Sequence, residues 1–286
     1  MAEITATLVK TLRERTGAGM MDCKKALIST QGDIELAIDA MRKAGQATAA
    51  KRAGRSATEG NLILKIDQSQ GAGWLIEINC ETDFVAKEAA FLAFCQRVAD
   101  RALAEQITDL DALQATCEAE RVALVAQCGE NIQIRRLATL RGERVGGYLH
   151  GQRIGVLVAA TQAADAELLK QIAMHIAANK PAYIQPHEVP TAVIDREREV
   201  QLAIALQSGK PQEIAEKMVA GRLLKFTSEL ALTEQPFLMD NTQRVGERLQ
   251  TVGATVTAFT RFELGEGLEK ASVDFAEAVT AVAERP

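Results

Sequence analysis

The stretch Thr82-Asp83-Phe84-Val85-Ala86-Lys87 sets a carboxylate beside an aromatic ring. It follows residues 74–79, which read as a strand, and it opens a pattern that reads as a helix to about residue 104. A strand-to-helix junction can hold side chains rigidly and still project them. Spacing leaves two readings of Phe84 open. Phe84, Glu88, Phe91, Cys95 and Val98 recur at intervals of three and four, so the ring could lead the core stripe of its helix, with Thr82 or Asp83 as N-cap. Alternatively, Asp83 and Phe84 are a displayed pair.

Other residue types offer less chemistry. Gly17-x-Gly19 opens a helix, but Asp22 stands where a dinucleotide loop needs its third glycine, and no strand precedes it. There is no G-x-x-x-x-G-K-[ST] phosphate loop, and Gly265-x-Gly267 lies too near the chain end for a βαβ unit. The three histidines, 150, 175 and 187, form no H-E-x-x-H and no local set with a nucleophile. His175 reads as a packed helix residue. The pairs Glu118-x-Glu120 and Asp109-x-Asp111 read as solvated helix faces or caps. The five cysteines never occur as C-x-x-C, which argues against a zinc site or disulfide framework and suits a reducing cytoplasm. No nucleotide site, metal site or cofactor of the chain's own is expected.

The 82–87 stretch resembles a signature of bacterial elongation factor Ts. So does Leu12-Arg13-Glu14-Arg15-Thr16-Gly17-Ala18-Gly19-Met20-Met21-Asp22-Cys23-Lys24-Lys25-Ala26-Leu27. Both occur in that family's order and at roughly its spacing, and the likeness continues through residues 150–181 to Phe262-Glu263. The resemblance implies a guanine-nucleotide exchange factor whose partner is the translational GTPase elongation factor Tu. It implies that Thr82, Asp83, Phe84 and Val85 dislodge the partner's Mg²⁺, with Phe84 as wedge and Asp83 holding the shifted partner. Arg13, Met20 and Met21 match the partner-binding motif, and methionine suits an adaptable binding surface.

Composition agrees with a soluble binding protein. The 286 residues are 47% hydrophobic and 25% charged, a globular balance. Aromatics make up 4%, so the cores must be aliphatic and alanine-rich. A net charge of −5 argues against a general nucleic-acid binder. No apolar run approaches the roughly 20 residues of a membrane span, and the first residues lack the pattern of a secretory signal. A cytoplasmic protein is expected, without direct contact to nucleic acid or membrane.

The elements that must position these residues are legible in outline. Ile4, Leu8 and Leu12 begin a three-helix N-terminal module of the ubiquitin-associated type, closed by a helix capped at Asp33 with Ile34, Ala37, Ile38 and Met41 inward. Residues 44–60 carry no large apolar side chain and read as a linker, in part helical. Two hairpin-then-helix patterns follow, at 62–104 and 145–178. Each needs a third strand, for which 132–140 and 254–263 are candidates. Helices at 191–207 and 211–230 form an inserted antiparallel coiled coil, with Val193, Val200, Ile204, Ile214, Met218 and Leu224 as its seam. The fold class is α+β. The expected divisions are 1–54 (docking module and linker), 55–144 (first core half), 145–181 with 231–264 (second half), 182–230 (coiled-coil insertion) and 265–286 (C-terminal helical module, its helix at about 273–284).

Three function classes compete: an exchange factor acting by protein binding, an α+β enzyme with a dispersed site, and an inert scaffold or assembly factor that binds a GTPase without accelerating exchange. The sequence advertises no convergent polar pocket, and the first reading is preferred. Oligomeric state is left open.

Overall fold

The computed structural model describes residues 4–207 and 212–268. Small sheets alternate with helices, the α+β class expected. By contacts the chain divides into two compact units. The first holds residues 1–61, 76–137 and 264–286; the second holds 62–75 and 138–263.

The first unit begins with α1 (Ala6–Thr16), α2 (Met20–Ser29) and α3 (Ile34–Arg52). The Thr5 side chain caps α1, and Gly17 ends it in the left-handed conformation (φ 69°) that glycine adopts without penalty. Asp33 caps α3 through Leu36 N at 2.9 Å. Val9, Leu12, Cys23, Leu27 and Ala37 form the small core of this bundle, with Ile4, Leu8, Ile34, Ile38 and Met41 packed around it. The stretch 44–60, expected as a linker in part helical, is helical as far as Arg52, where α3 ends. Its small residues are the reason. At Gly45 an added Cβ would already meet Ala126 Cβ at 3.4 Å and Val122 Cγ1 at 3.6 Å. The alanine-rich tract is therefore a close-packing face and not a tether.

Next come β1 (Glu59–Asp67), β2 (Ala72–Cys80), α4 (Asp83–Lys87), α5 (Ala89–Ala104), α6 (Leu110–Cys128) and β3 (Gln133–Arg141). The three strands form one sheet in the order β1-β2-β3. Asp109 caps α6 and Gly129 closes it in the left-handed conformation. Phe91, Phe94, Cys95, Val98, Ala99 and Ala102 bury one face of α5. Gly60 must be glycine: φ is 137°, and a Cβ there would lie 2.0 Å from the Ile78 carbonyl oxygen. Glu77, in β2, is fully buried and is neutralised by Arg135 Nη1 at 3.0 Å and by Arg136 Nε. Its Oε1 also accepts the Gly265 amide at 2.8 Å.

In the second unit β4 (Arg144–His150), β5 (Ile154–Ala160) and β8 (Val256–Glu263) form an antiparallel sheet in that order, with His150 opposite Ile154 across the first turn. One face packs on α7 (Ala166–Asn179) through Val156, Val158, Leu168, Leu169, Ile172 and Ile176. Leu157 and Ala159 point the other way, into a cluster with Leu62, Leu75 and Val145. That two-sided burial is why β5 reads as a continuous apolar run. Gly155 lies on the second face, where a Cβ would sit 2.5 Å from Leu75 Cδ1.

The insertion is α8 (Thr191–Gln207) and α9 (Gln212–Leu230). Its seam differs from the expected one. Ala205, Ala215 and Val219 are buried between the helices, flanked by Leu202 and Leu223. Val200, Ile204, Ile214 and Leu224 are exposed. A helix with two apolar stripes does not reveal by periodicity which one faces its partner; here the stripe with the smaller side chains does, because it lets the backbones approach. A two-stranded hairpin, β6 (Pro236–Phe237) and β7 (Asp240–Arg244), and α10 (Val245–Thr251) then lead into β8. The helix expected at about 273–284 lies outside the described residues.

Candidate functional site

Residues 82–87 do not continue into the following helix. The chain breaks at Glu88, whose extended conformation (φ −67°, ψ 140°) ends α4 after five residues and starts α5 afresh. The single helix expected from 82 to 104 is therefore two. The break rotates Phe84 off the stripe that buries Phe91, Cys95 and Val98, and leaves its ring 77% exposed. Of the two readings, the display of Phe84 is the one observed.

Everything around the ring is fixed. Val85 and Ala86 are buried beneath it. Thr82 caps α4 by accepting Val85 N at 3.4 Å. The Glu130 carboxylate grips the turn from the far end of α6: it accepts Glu81 N at 3.1 Å, Thr82 N at 3.0 Å and the Thr82 hydroxyl at 2.7 Å. Glu81 in turn accepts Asn131 N at 2.7 Å and pairs with Arg55 at 3.3 Å. Asn61 donates to the Ala86 carbonyl at 2.9 Å, satisfying a helix-end acceptor that would otherwise be orphaned. The bonds to the Glu81 and Glu130 carboxylates are charge-assisted and among the stronger ones available. Sequence reading missed Glu81, Glu130, Asn61 and Asn131 as supports. Glu130 stands 48 residues from Thr82, and no local spacing could link them.

Asp83 is exposed and bonded to Lys87 Nζ at 2.6 Å. That hydrogen bond holds its carboxyl below the ordinary aspartate range. The i, i+4 spacing makes the pair readable in the sequence. Asp83 is thus a fully ionised acceptor beside an exposed ring. Beneath them, burial pushes the Cys80 thiol up to about 12, so it serves as a packed apolar group that donates to the Thr82 carbonyl at 3.2 Å.

The other site candidates lie on the N-terminal bundle. Met20 and Met21 open α2 and are 54% and 63% exposed. The Arg13 side chain is exposed in the last turn of α1, and its carbonyl accepts the Gly17 cap at 2.8 Å. Both groups of candidates belong to the first unit. Among the described residues no cluster of His, Cys, Asp and Glu could hold a metal ion, all five cysteines are free, and no helix is long and apolar enough to cross a membrane. His175 is buried in α7 as a packed residue, bonded to Gln235 at 2.9 Å.

Sequence comparison gives a consistent result. Residues 81–266 match the family described as Elongation factor TS. Curated relatives cover essentially the whole chain. Elongation factor Ts of Hamiltonella defensa is 58% identical over 285 residues, 100% of this chain and 99% of that protein. Elongation factor Ts of Photorhabdus laumondii is 58% identical over 284 residues, 99% and 100% of the two chains. That of Pasteurella multocida is 59% identical over 282 residues, 99% of each.

Proposed function

The chain belongs to the elongation factor Ts family, and on that premise we propose that it is a guanine-nucleotide exchange factor of translation elongation. It binds elongation factor Tu, disturbs that partner's Mg²⁺ and phosphate site, and promotes GDP release in the cytoplasm. It is not an enzyme in its own right and brings no cofactor.

An exchange factor need not touch the nucleotide. It must bind the nucleotide-free GTPase more tightly than the loaded one, and by linkage nucleotide and factor then weaken each other equally. Mg²⁺ in such a GTPase bridges phosphate oxygens in a strict octahedral shell, so a small shift of a neighbouring partner element is enough to lose it. In this reading Thr82, Asp83, Phe84 and Val85 impose the shift. Phe84 enters as a wedge, Asp83 accepts donors from the displaced segment, and Thr82 and Val85 keep the wedge from yielding. Arg13, Met20 and Met21 dock the N-terminal module, residues 1–54. Core halves 55–144 and 145–181 with 231–264, the coiled-coil insertion 182–230 and the C-terminal module 265–286 complete the proposed division of labour.

The observation that carries the reading is the exposed Phe84 ring on a turn braced by Glu130, Val85 and Ala86. A large aromatic side chain displayed to water on a braced turn adds little to folding, whereas insertion into a partner uses its size and the firm base beneath it. The experiment is release of labelled GDP from elongation factor Tu with and without the protein. Acceleration by orders of magnitude is expected. Binding without acceleration would support the scaffold alternative and overturn the proposal.

A further inference from the structure

One side chain pins the end of α3 to the braced turn. The last carbonyls of a helix have no partner within it. Where α3 gives out, two carbonyls are taken by the Asn131 amide: Nδ2 donates to Ala53 O at 3.3 Å and to Arg55 O at 2.8 Å. The backbone N–H of the same residue donates to Glu81 Oε1 at 2.7 Å. Glu81 pairs with Arg55 at 3.3 Å and lies 4.0 Å from Arg52, the last residue of α3. The Glu81 and Thr82 amides are held in turn by Glu130. From the end of α3 to the Thr82 cap the bonds are continuous, and all of them lie in the first unit.

For folding alone, asparagine is a poor choice at this position. Asn131 is 1% exposed, and its Oδ1 is buried without a donor from the protein. A buried acceptor left unpaired costs stability, so a leucine of similar size would serve the core about as well. What asparagine adds is direction. The packing of α3 on α6 supplies little of it, because Gly45 and Ala49 offer Val122 and Ala126 a shallow face with no large side chain to stop α3 sliding or pivoting. Two directional bonds at the helix end do stop it. Setting a register is the best-attested use of a buried polar group.

We infer that Asn131 is a positioning residue of the exchange reaction: it sets the N-terminal bundle relative to the Thr82–Val85 turn, so that Met20–Met21 and Phe84 reach one GTPase together. The inference rests on the exchange-factor reading above. Met20 and Met21 are exposed at the start of α2, and Phe84 is exposed on α4. Two contacts on a fixed frame act as one bivalent surface. A loose frame lowers the effective concentration of the second contact once the first has formed. The Asn131 amide therefore contributes to binding only while both contacts exist, which separates positioning from plain support of the turn.

The test is a double-mutant cycle on the full chain, with nucleotide-free elongation factor Tu as the probe. Asn131→Leu is made in the wild type and in Met20→Ala/Met21→Ala, with Asn131→Ala beside it should the leucine overfill the site. In the wild-type background the dissociation constant should rise about fivefold or more, and in the background lacking the methionines it should change by less than about twofold. Melting should move little, and equally in both backgrounds. An equal rise in both backgrounds would make Asn131 a local support of the turn and overturn the inference. So would an unchanged dissociation constant in the wild type, or a methionine variant that binds as the wild type does, since the bundle would then hold no contact to position. If Phe84→Ala still slows GDP release in any of these cases, the exchange-factor reading stands and the positioning role alone falls. If the wild type neither binds nor accelerates release, both fall.

Discussion

Phe84→Ala separates a wedge from a core residue by the sign of two measurements. Full burial of a phenylalanine side chain is worth about 1.5–3 kcal/mol. The ring is 77% exposed in the free protein, so about three-quarters of that, roughly 1.2–2.3 kcal/mol, is available only in a complex. At about 1.4 kcal/mol per decade, GDP release should slow by about 7- to 50-fold at subsaturating factor. The remaining quarter, about 0.3–0.7 kcal/mol, is all the free protein can lose, which at about 2–4 °C per kcal/mol limits the fall in melting temperature to about 3 °C. A core phenylalanine would instead cost about 3–5 kcal/mol of folding stability. The assay is stopped-flow release of a fluorescent GDP from elongation factor Tu, beside thermal unfolding of the free variant. A melting temperature that falls by 10 °C, with the folded fraction exchanging normally, would refute the reasoning. Asp83→Asn is the companion: it keeps size and removes charge, and it should slow release with melting unchanged.

Glu130→Ala removes the grip on Glu81 N and Thr82. Stability should drop by about 1.5–3 kcal/mol, exchange should slow, and the Thr82 and Val85 amides should lose hydrogen-exchange protection; unaltered protection would sink the bracing argument. Replacing residues 192–226 by a short glycine linker should leave cooperative unfolding intact, provided Ser228–Leu230 stay, because the Leu230 carbonyl accepts Ala182 N and Tyr183 N at 2.9 and 3.1 Å; a precipitating or non-cooperative product would show that the insertion covers core surface. Removing residues 1–50 should destabilise α6 measurably, since it strips Gly45 and Ala49 from that helix's face, whereas removing 1–32 should weaken GTPase binding with less effect on folding; equal melting of the two truncations would contradict this. Burial holds the His175 imidazole below its ordinary pKa of 6.5, so below that pH the unfolded chain takes up a proton that the native protein refuses. Stability should therefore decline as pH falls from about 6.5 toward the depressed native value, and His175→Gln should remove that limb of a urea-midpoint profile.

What the sequence revealed follows the range of the forces involved. Caps act within one turn, so Asp33 marks its helix start as read, and Asp109 takes the cap, one of its two readings. Apolar patterning acts along one strand, by alternation or, in β5, as a continuous run, so β1 to β5 and β8 were legible. Phe84 was ambiguous because its fate depends on one residue: Glu88 adopts an extended conformation, and periodicity assumes an unbroken helix. The coiled-coil seam was misread because two apolar stripes compete and only the partner helix decides. Glu77 with Arg135 and Arg136, and Glu130 with Thr82, join positions tens of residues apart, and nothing local announces them.

The continuity of α3 has a consequence for valency. Its 19 residues span about 28 Å at 1.5 Å per residue, with one end in the N-terminal bundle and the other packed against α6, the helix that ends beside Glu130. A floppy tether would let Met20–Met21 search a wide volume and would dilute Phe84's encounter accordingly. Under the proposed function, a continuous helix would fix the separation of the two contacts, so that once the methionines engaged, the ring would be delivered at a high effective concentration to a single location. The same rigidity makes the match unforgiving: a GTPase whose two receiving sites differ in spacing would capture one contact and forfeit the other.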